Sequence, residues 1–103
     1  MFQVTITDRT PRTVIALEGE LDLGSTPQLM TIVQGIMDVG DDQIVLDLAG
    51  LSFIDSTGLI GVARLAQLAR DAGATLEVRS PSELTTQVLE VTGLDRAIVV
   101  CRT

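Results

Sequence analysis

The chain has 103 residues, which is room for one domain, and 46% of them are hydrophobic, which is enough for a core. It has no lysine, no histidine and one cysteine, so a histidine-dependent nucleophile and the usual structural zinc sites cannot be assembled within it. Its net charge of −7 repels phosphate backbones and anionic lipid, which argues against nucleic acid or a membrane surface as partner and favours a basic protein.

In chain order, Gln3 to Thr7 alternates with Val4 and Ile6 on one face, which predicts a short strand. Asp8-Arg9-Thr10-Pro11-Arg12 reads as a turn, and Thr13 to Glu18 as a second strand closing a hairpin, with Glu18-Gly19-Glu20-Leu21-Asp22 ending it. Gly24-Ser25-Thr26-Pro27 is a helix start in which Ser25 or Thr26 caps and Pro27 occupies the first turn. Leu29, Ile32, Val33, Ile36 and Met37 recur at helical spacing until Gly40.

Gln43 to Leu48 is rich in strand formers and predicts a central strand, followed by Ala49-Gly50-Leu51-Ser52 as a loop. The run Phe53-Ile54-Asp55-Ser56-Thr57-Gly58-Leu59 then leads into a second helix, from about Ser56 to Ala72, with Gly73 as its C′ residue. Phe53 and Ile54 are expected to anchor this run to the core, and Gly58 to let the chain turn tightly into the helix. Thr75 to Arg79 predicts a strand. Ser80-Pro81-Ser82-Glu83 has capping-box spacing, with Pro81 at the first position of a third helix that Gly93 ends. Ala97 to Cys101 is the last predicted strand, in which Cys101 is expected to act as a small buried hydrophobe.

From the second strand onward, strands and helices alternate with short connections. That predicts an α/β domain over residues 1–103: a mostly parallel sheet of about five strands, an N-terminal hairpin, and helices packed mainly on one face. No run approaches the roughly 18 apolar residues of a membrane span. The N-terminal segment alternates and carries charge, unlike a signal peptide. With the unpaired cysteine, these features lead us to expect a cytoplasmic protein.

Residues 55–58 hold the unusual chemistry. Ser56 falls at the first turn of the second helix, where free backbone N–H groups and the positive end of the helix dipole gather and a phosphate is accommodated. An equally simple reading is that Ser56 or Asp55 caps the helix. On a helical wheel, Leu59, Val62, Ala63, Leu65, Ala66, Leu68, Ala69 and Ala72 form a wide apolar arc opposite Arg64, Gln67 and Asp71. Ile60 is a misfit on the polar stripe, and Ser56 projects to its edge. An accessible Ser56 beside an exposed Ile60, with Arg64 one turn further on, has the pattern of a transient interface. Asp55 adjoins Ser56, and Asp22 ends a strand at the same end of the sheet if the two strands are parallel. Asp22 can equally be a loop acid or cap acceptor. Phosphorylating Ser56 beside these carboxylates would add nearly two charges. Repulsion between a unit pair ~6 Å apart at an effective ε of ~20 corresponds, before screening, to about two decades in a binding constant.

VLDLAGLSFIDSTGL, with the upstream GELDL and downstream EVTGLDRAIVV, resembles the STAS domain family, and within it the bacterial anti-sigma factor antagonists. The resemblance spans essentially the whole chain. It implies that a partner acting as both anti-sigma factor and serine kinase phosphorylates Ser56. Unphosphorylated antagonist would bind that partner to release a sigma factor, phosphorylation would break the complex, and a phosphatase would reset it. It also implies that Asp22 lies beside Ser56 and that Thr57 is a weaker alternative acceptor; no cofactor or metal is expected. The partner-binding set expected on these grounds is Asp22, Asp55, Ser56, Thr57, Gly58, Ile60 and Arg64. The alternative is a non-phosphorylated STAS subunit of a larger assembly, such as a lipid-transport or stress-signalling complex.

Two enzyme-like or catalytic-phosphoacceptor readings fit worse. The Asp55-Ser56-Thr57-Gly58 run is one residue too long for an aspartic protease motif, and a helix follows it. A receiver-type domain would use Asp47 as phosphoacceptor but needs a lysine this chain lacks. The expectation is a protein that is not itself an enzyme.

Overall fold

The computed structural model describes residues 1–8, 12–79, 82–92 and 99–101. Strands β1 (Phe2–Asp8), β2 (Thr13–Leu21), β3 (Gln43–Ile54), β4 (Thr75–Arg79) and β5 (Val99–Cys101) form one sheet in the order β1-β2-β3-β4-β5. β1 and β2 are an antiparallel hairpin, and the remaining pairs are parallel. Helices α1 (Thr26–Asp38), α2 (Ser56–Asp71) and α3 (Glu83–Thr92) supply the crossovers. Because each crossover steps the same way along the sheet, the right-handed connections bring all three helices to one face.

The core records that arrangement. Alternate residues of the central strands, among them Ile15, Leu17, Ile44, Leu46 and Val78, join Leu29 and Val33 of α1, Val62 and Leu65 of α2 and Leu89 of α3 in one buried cluster. Phe2 and Val4 of β1 pack against its edge. On the other face of the sheet Val14 and Val45 are neighbours across β2 and β3 and are also buried.

The helix boundaries follow local chemistry. Gly40 and Gly73, each with positive φ, come directly after the C-caps Val39 and Ala72, a conformation that costs glycine nothing. Pro27 sits in the first turn of α1, as its missing N–H allows. Ser25 is the N-cap residue of α1, yet its side chain makes no cap hydrogen bond, because its hydroxyl is committed elsewhere. Ser82 caps α3 by accepting from the Thr85 N–H at 3.1 Å, and the helix runs from Glu83. Ser80, Pro81, Gly93 and the side chain of Cys101 lie outside the described residues.

One strand departs from expectation in a way that matters for the site. The segment 49–52, expected as a loop, continues β3 to Ile54, and β2 correspondingly runs on to Leu21. Five residue steps in β2, from Ala16 to Leu21, are matched by seven in β3, from Asp47 to Ile54. The register shifts at two points, each giving β3 an extra residue. The Gly and Ser that look like a turn therefore mark bulges, and the pairing persists to the strand ends.

Candidate functional site

The last pair in that register, Leu21 with Ile54, brings the ends of β2 and β3 together. The backbone N–H of Asp55 donates to the Leu21 carbonyl at 3.1 Å. Asp22 directly follows β2, and Asp55 and Ser56 follow β3, so the parallel sheet brings the two loops side by side, as expected.

Asp55 resolves the question of the cap. Its backbone is extended, and its Oδ1 accepts from the Gly58 N–H at 2.9 Å, while the Leu59 N–H donates to its carbonyl to begin α2. Ser56 is consequently the first helical residue, exposed and not used as a cap. Thr57 is half-buried and Gly58 fully buried.

Gly58 has a different role from the one its position in the turn suggested. Its φ is not positive; what it supplies is space. A Cβ there would come within 2.7 Å of the Leu21 carbonyl oxygen and 3.0 Å of Ile54 Cγ1. Any side chain would wedge the start of α2 away from the end of β2. Gly61 supplies the same clearance against α1, where a Cβ would meet Thr26 Cγ2 at 2.6 Å.

Asp22 is held by a compact network. Its Oδ1 accepts from the Gly24 N–H at 3.0 Å, the Ser25 N–H at 3.1 Å and the Ser25 hydroxyl at 3.1 Å. Ser25 Oγ in turn accepts from the Asp22 N–H at 2.9 Å, and its single proton is shared between Asp22 Oδ1 and the closer Glu20 carbonyl at 2.7 Å. Thr26 Oγ1 donates to the Asp22 carbonyl at 2.6 Å. The Ser25 backbone N–H, followed by the Ser25 hydroxyl, holds the Asp22 carboxyl below the usual aspartate range. Asp22 is thus both a cap-type acceptor at the entry to α1 and a fixed anion next to the Asp55–Ser56 loop.

Ile60 is 62% exposed, and Arg64 is exposed a further turn along the same stripe of α2. At 1.5 Å rise per residue, Arg64 lies about 12 Å along the helix from Ser56, so it belongs to the far end of the surface. The hydrogen bond from Gln67 Nε2 to Asp71 at 3.1 Å completes the polar stripe.

The expectation for Phe53 is corrected. Phe53 is 51% exposed and does not anchor the run, whereas Ile54 is half-buried and packs against the core. Ile54 lies in phase with the buried Ile44, Leu46 and Leu48 because the two one-residue shifts in β3 together restore the alternation, and Phe53 falls out of that phase. Leu23, one residue beyond Asp22, is 73% exposed. Sequence reasoning missed both as surface features of the site. The available signal for Leu23 was an apolar residue between Asp22 and Gly24 after a strand has ended.

A family model described as "Mlab, STAS domain" matches residues 4–100. An anti-sigma factor antagonist from Mycobacterium paratuberculosis superposes with a TM-score of 0.82 at 20% identity, covering 100% of this chain and 87% of that one. The anti-sigma factor antagonist SpoIIAA in its unphosphorylated form gives 0.76 at 25% identity, covering 98% and 88%. The Bacillus cell fate determinant SpoIIAA in its phosphorylated form gives 0.74 at 24% identity, covering 98% and 91%. No helix among the described residues is long and apolar enough to cross a membrane.

Proposed function

Because the chain belongs to the STAS domain family, we propose that residues 1–103 act as an anti-sigma factor antagonist switched by phosphorylation of Ser56. In this reading the unphosphorylated protein binds an anti-sigma factor with serine kinase activity and frees a sigma factor. A phosphatase reverses the modification. The chain is a substrate and binding partner, not an enzyme, and it acts in the cytoplasm.

The observation that carries the reading is the division of labour at the start of α2. Asp55 satisfies the helix cap, which leaves the Ser56 hydroxyl exposed and uncommitted at a helix N-terminus suited to phosphate. That a structural relative, SpoIIAA, exists in phosphorylated and unphosphorylated forms supports it further. Thr57, half-buried, is the poorer acceptor. The partner surface comprises Asp22, Asp55, Ser56, Thr57, Ile60 and Arg64, extended by Leu23 and Phe53, while the buried Gly58, expected in this set, supports it from beneath. Phosphate added beside Asp55 and the hydrogen-bonded Asp22 carboxylate places like charges where the partner must approach.

Incubation with the cognate kinase and ATP, followed by phosphosite mapping, tests the switch. One phosphate on Ser56, lost in Ser56→Ala, is the expected result. A phosphate elsewhere, or none with an authenticated partner kinase, would overturn it and leave the reading of a non-phosphorylated subunit of a larger assembly.

A further inference from the structure

Between the end of β3, the first turn of α2 and the start of α3 lies a cavity of about 210 Å³. Its apolar wall includes Leu51, Phe53, Ile54 and Leu59, from the end of β3 and the first turn of α2, and Ser82 and Thr85 of the α3 start bring hydroxyls to it. Among the described residues none of its lining is charged. In a protein of net charge −7, this is a neutral recess facing an anionic surround.

Size and polarity define what fits. A dry apolar cavity of about 150 Å³ holds benzene, so this one has room for a fused bicyclic molecule. The hydroxyl pair limits the polar group. Ser82 Oγ accepts from the Thr85 N–H at 3.1 Å and donates to Thr85 Oγ1 at 2.9 Å, so each hydroxyl oxygen retains one acceptor position and neither of these bonds uses the Thr85 O–H. A ligand presenting one N–H or O–H donor finds an acceptor there, while a carboxylate must be desolvated against an apolar wall within a chain of net charge −7. The geometry points to a binding site for a small, uncharged, mainly apolar molecule of bicyclic size bearing one hydrogen-bond donor. Ile54 and Leu59 flank residues 55–58 in the chain, so a bound molecule touches both sides of the junction that positions Ser56.

Indole is the probe, and the readout is ¹⁵N–¹H NMR titration of the full chain. The expected result is saturable shifts clustered on the amides of Leu51, Phe53, Ile54, Leu59 and Thr85 at millimolar or lower indole. 1-Methylindole, which lacks the donor, should bind roughly 3–10-fold more weakly, the effect of one hydrogen bond. Indole-3-acetate should give no saturable shifts at these amides. Leu51→Phe fills the cavity and should abolish the response. Thr85→Val keeps the shape while removing the hydroxyl and should reduce affinity by a similar factor, roughly 3–10-fold, which decides the matter if Leu51→Phe fails to fold. Absence of saturable shifts, shifts centred elsewhere, equal binding of the carboxylate, or an unchanged response in a folded Leu51→Phe or in Thr85→Val would overturn the assignment.

Discussion

Asp22 shows how much a single side chain is governed by its immediate backbone. Ser25 contributes its N–H and its hydroxyl to the carboxylate, and together these hold the Asp22 carboxyl below the ordinary aspartate value of ~3.9. A folded value depressed below the unfolded one contributes stability that is present above the unfolded value. That contribution is lost as pH falls through the folded one. A ¹³C-carboxyl NMR titration should find Asp22 below the usual range in the native chain. Ser25→Ala removes the hydroxyl but keeps the N–H, so it should move Asp22 some distance back up. An unmoved Asp22 in that variant would mean that the backbone donors alone set its charge. None of this is legible in Gly-Glu-Leu-Asp as letters: the spacing marks Asp22 as a candidate, but the donors that fix it become visible only when the loop is folded.

At the scale of elements, the junction of β2, β3 and α2 is set by clearance. The Leu21 carbonyl receives the Asp55 N–H and leaves no room for a Cβ at Gly58. Gly58→Ala should therefore cost about 2 kcal/mol, the middle of the overpacking range, and lower the Tm by roughly 10 °C. A Tm within about 2 °C of the native protein, where a change of that energy should move it several degrees, would show that the junction yields. Sequence patterning identified α1, α2 and β4 closely, because apolar spacing and end residues report directly on helix phase and strand alternation. It stopped β3 at Leu48, because glycine and serine carry the same local signal whether they make a turn or a bulge. The neighbouring strand decides between the two.

Across the whole molecule, the parallel sheet turns separate segments into one surface. Leu23, Phe53 and Ile60 are exposed apolar residues close in the chain to Asp22, Asp55 and Ser56, with the exposed Arg64 one turn beyond Ile60. Apolar contacts within a polar rim suit a partner that associates and releases. Alanine substitutions at Leu23, Phe53, Ile60 and Arg64 should each leave the thermal transition in place. At least two of them should weaken binding of the cognate anti-sigma factor by about fivefold or more in calorimetry. Loss of the thermal transition would make the residue structural, and unchanged affinity in all four would remove this face from the interface. Ser56→Glu should also weaken the complex, by less than phosphate does, because a carboxylate carries less charge.

The letters alone determined the composition of the core, the alternation of strands and helices, and the family motif around Asp55 and Ser56. These are local properties: period, end residues and the absence of histidine and lysine are visible without a neighbour. Tertiary structure decided which acid caps α2, which apolar residues face solvent, where Asp22 meets the Ser56 loop, and that a cavity lies between the end of β3, the first turn of α2 and the start of α3. Each depends on register across β2 and β3, where two extra residues in one strand keep its alternation in phase and bring Leu21 opposite Ile54. Ser56 is left exposed because Asp55, its neighbour in the chain, is held by a carbonyl from a different strand.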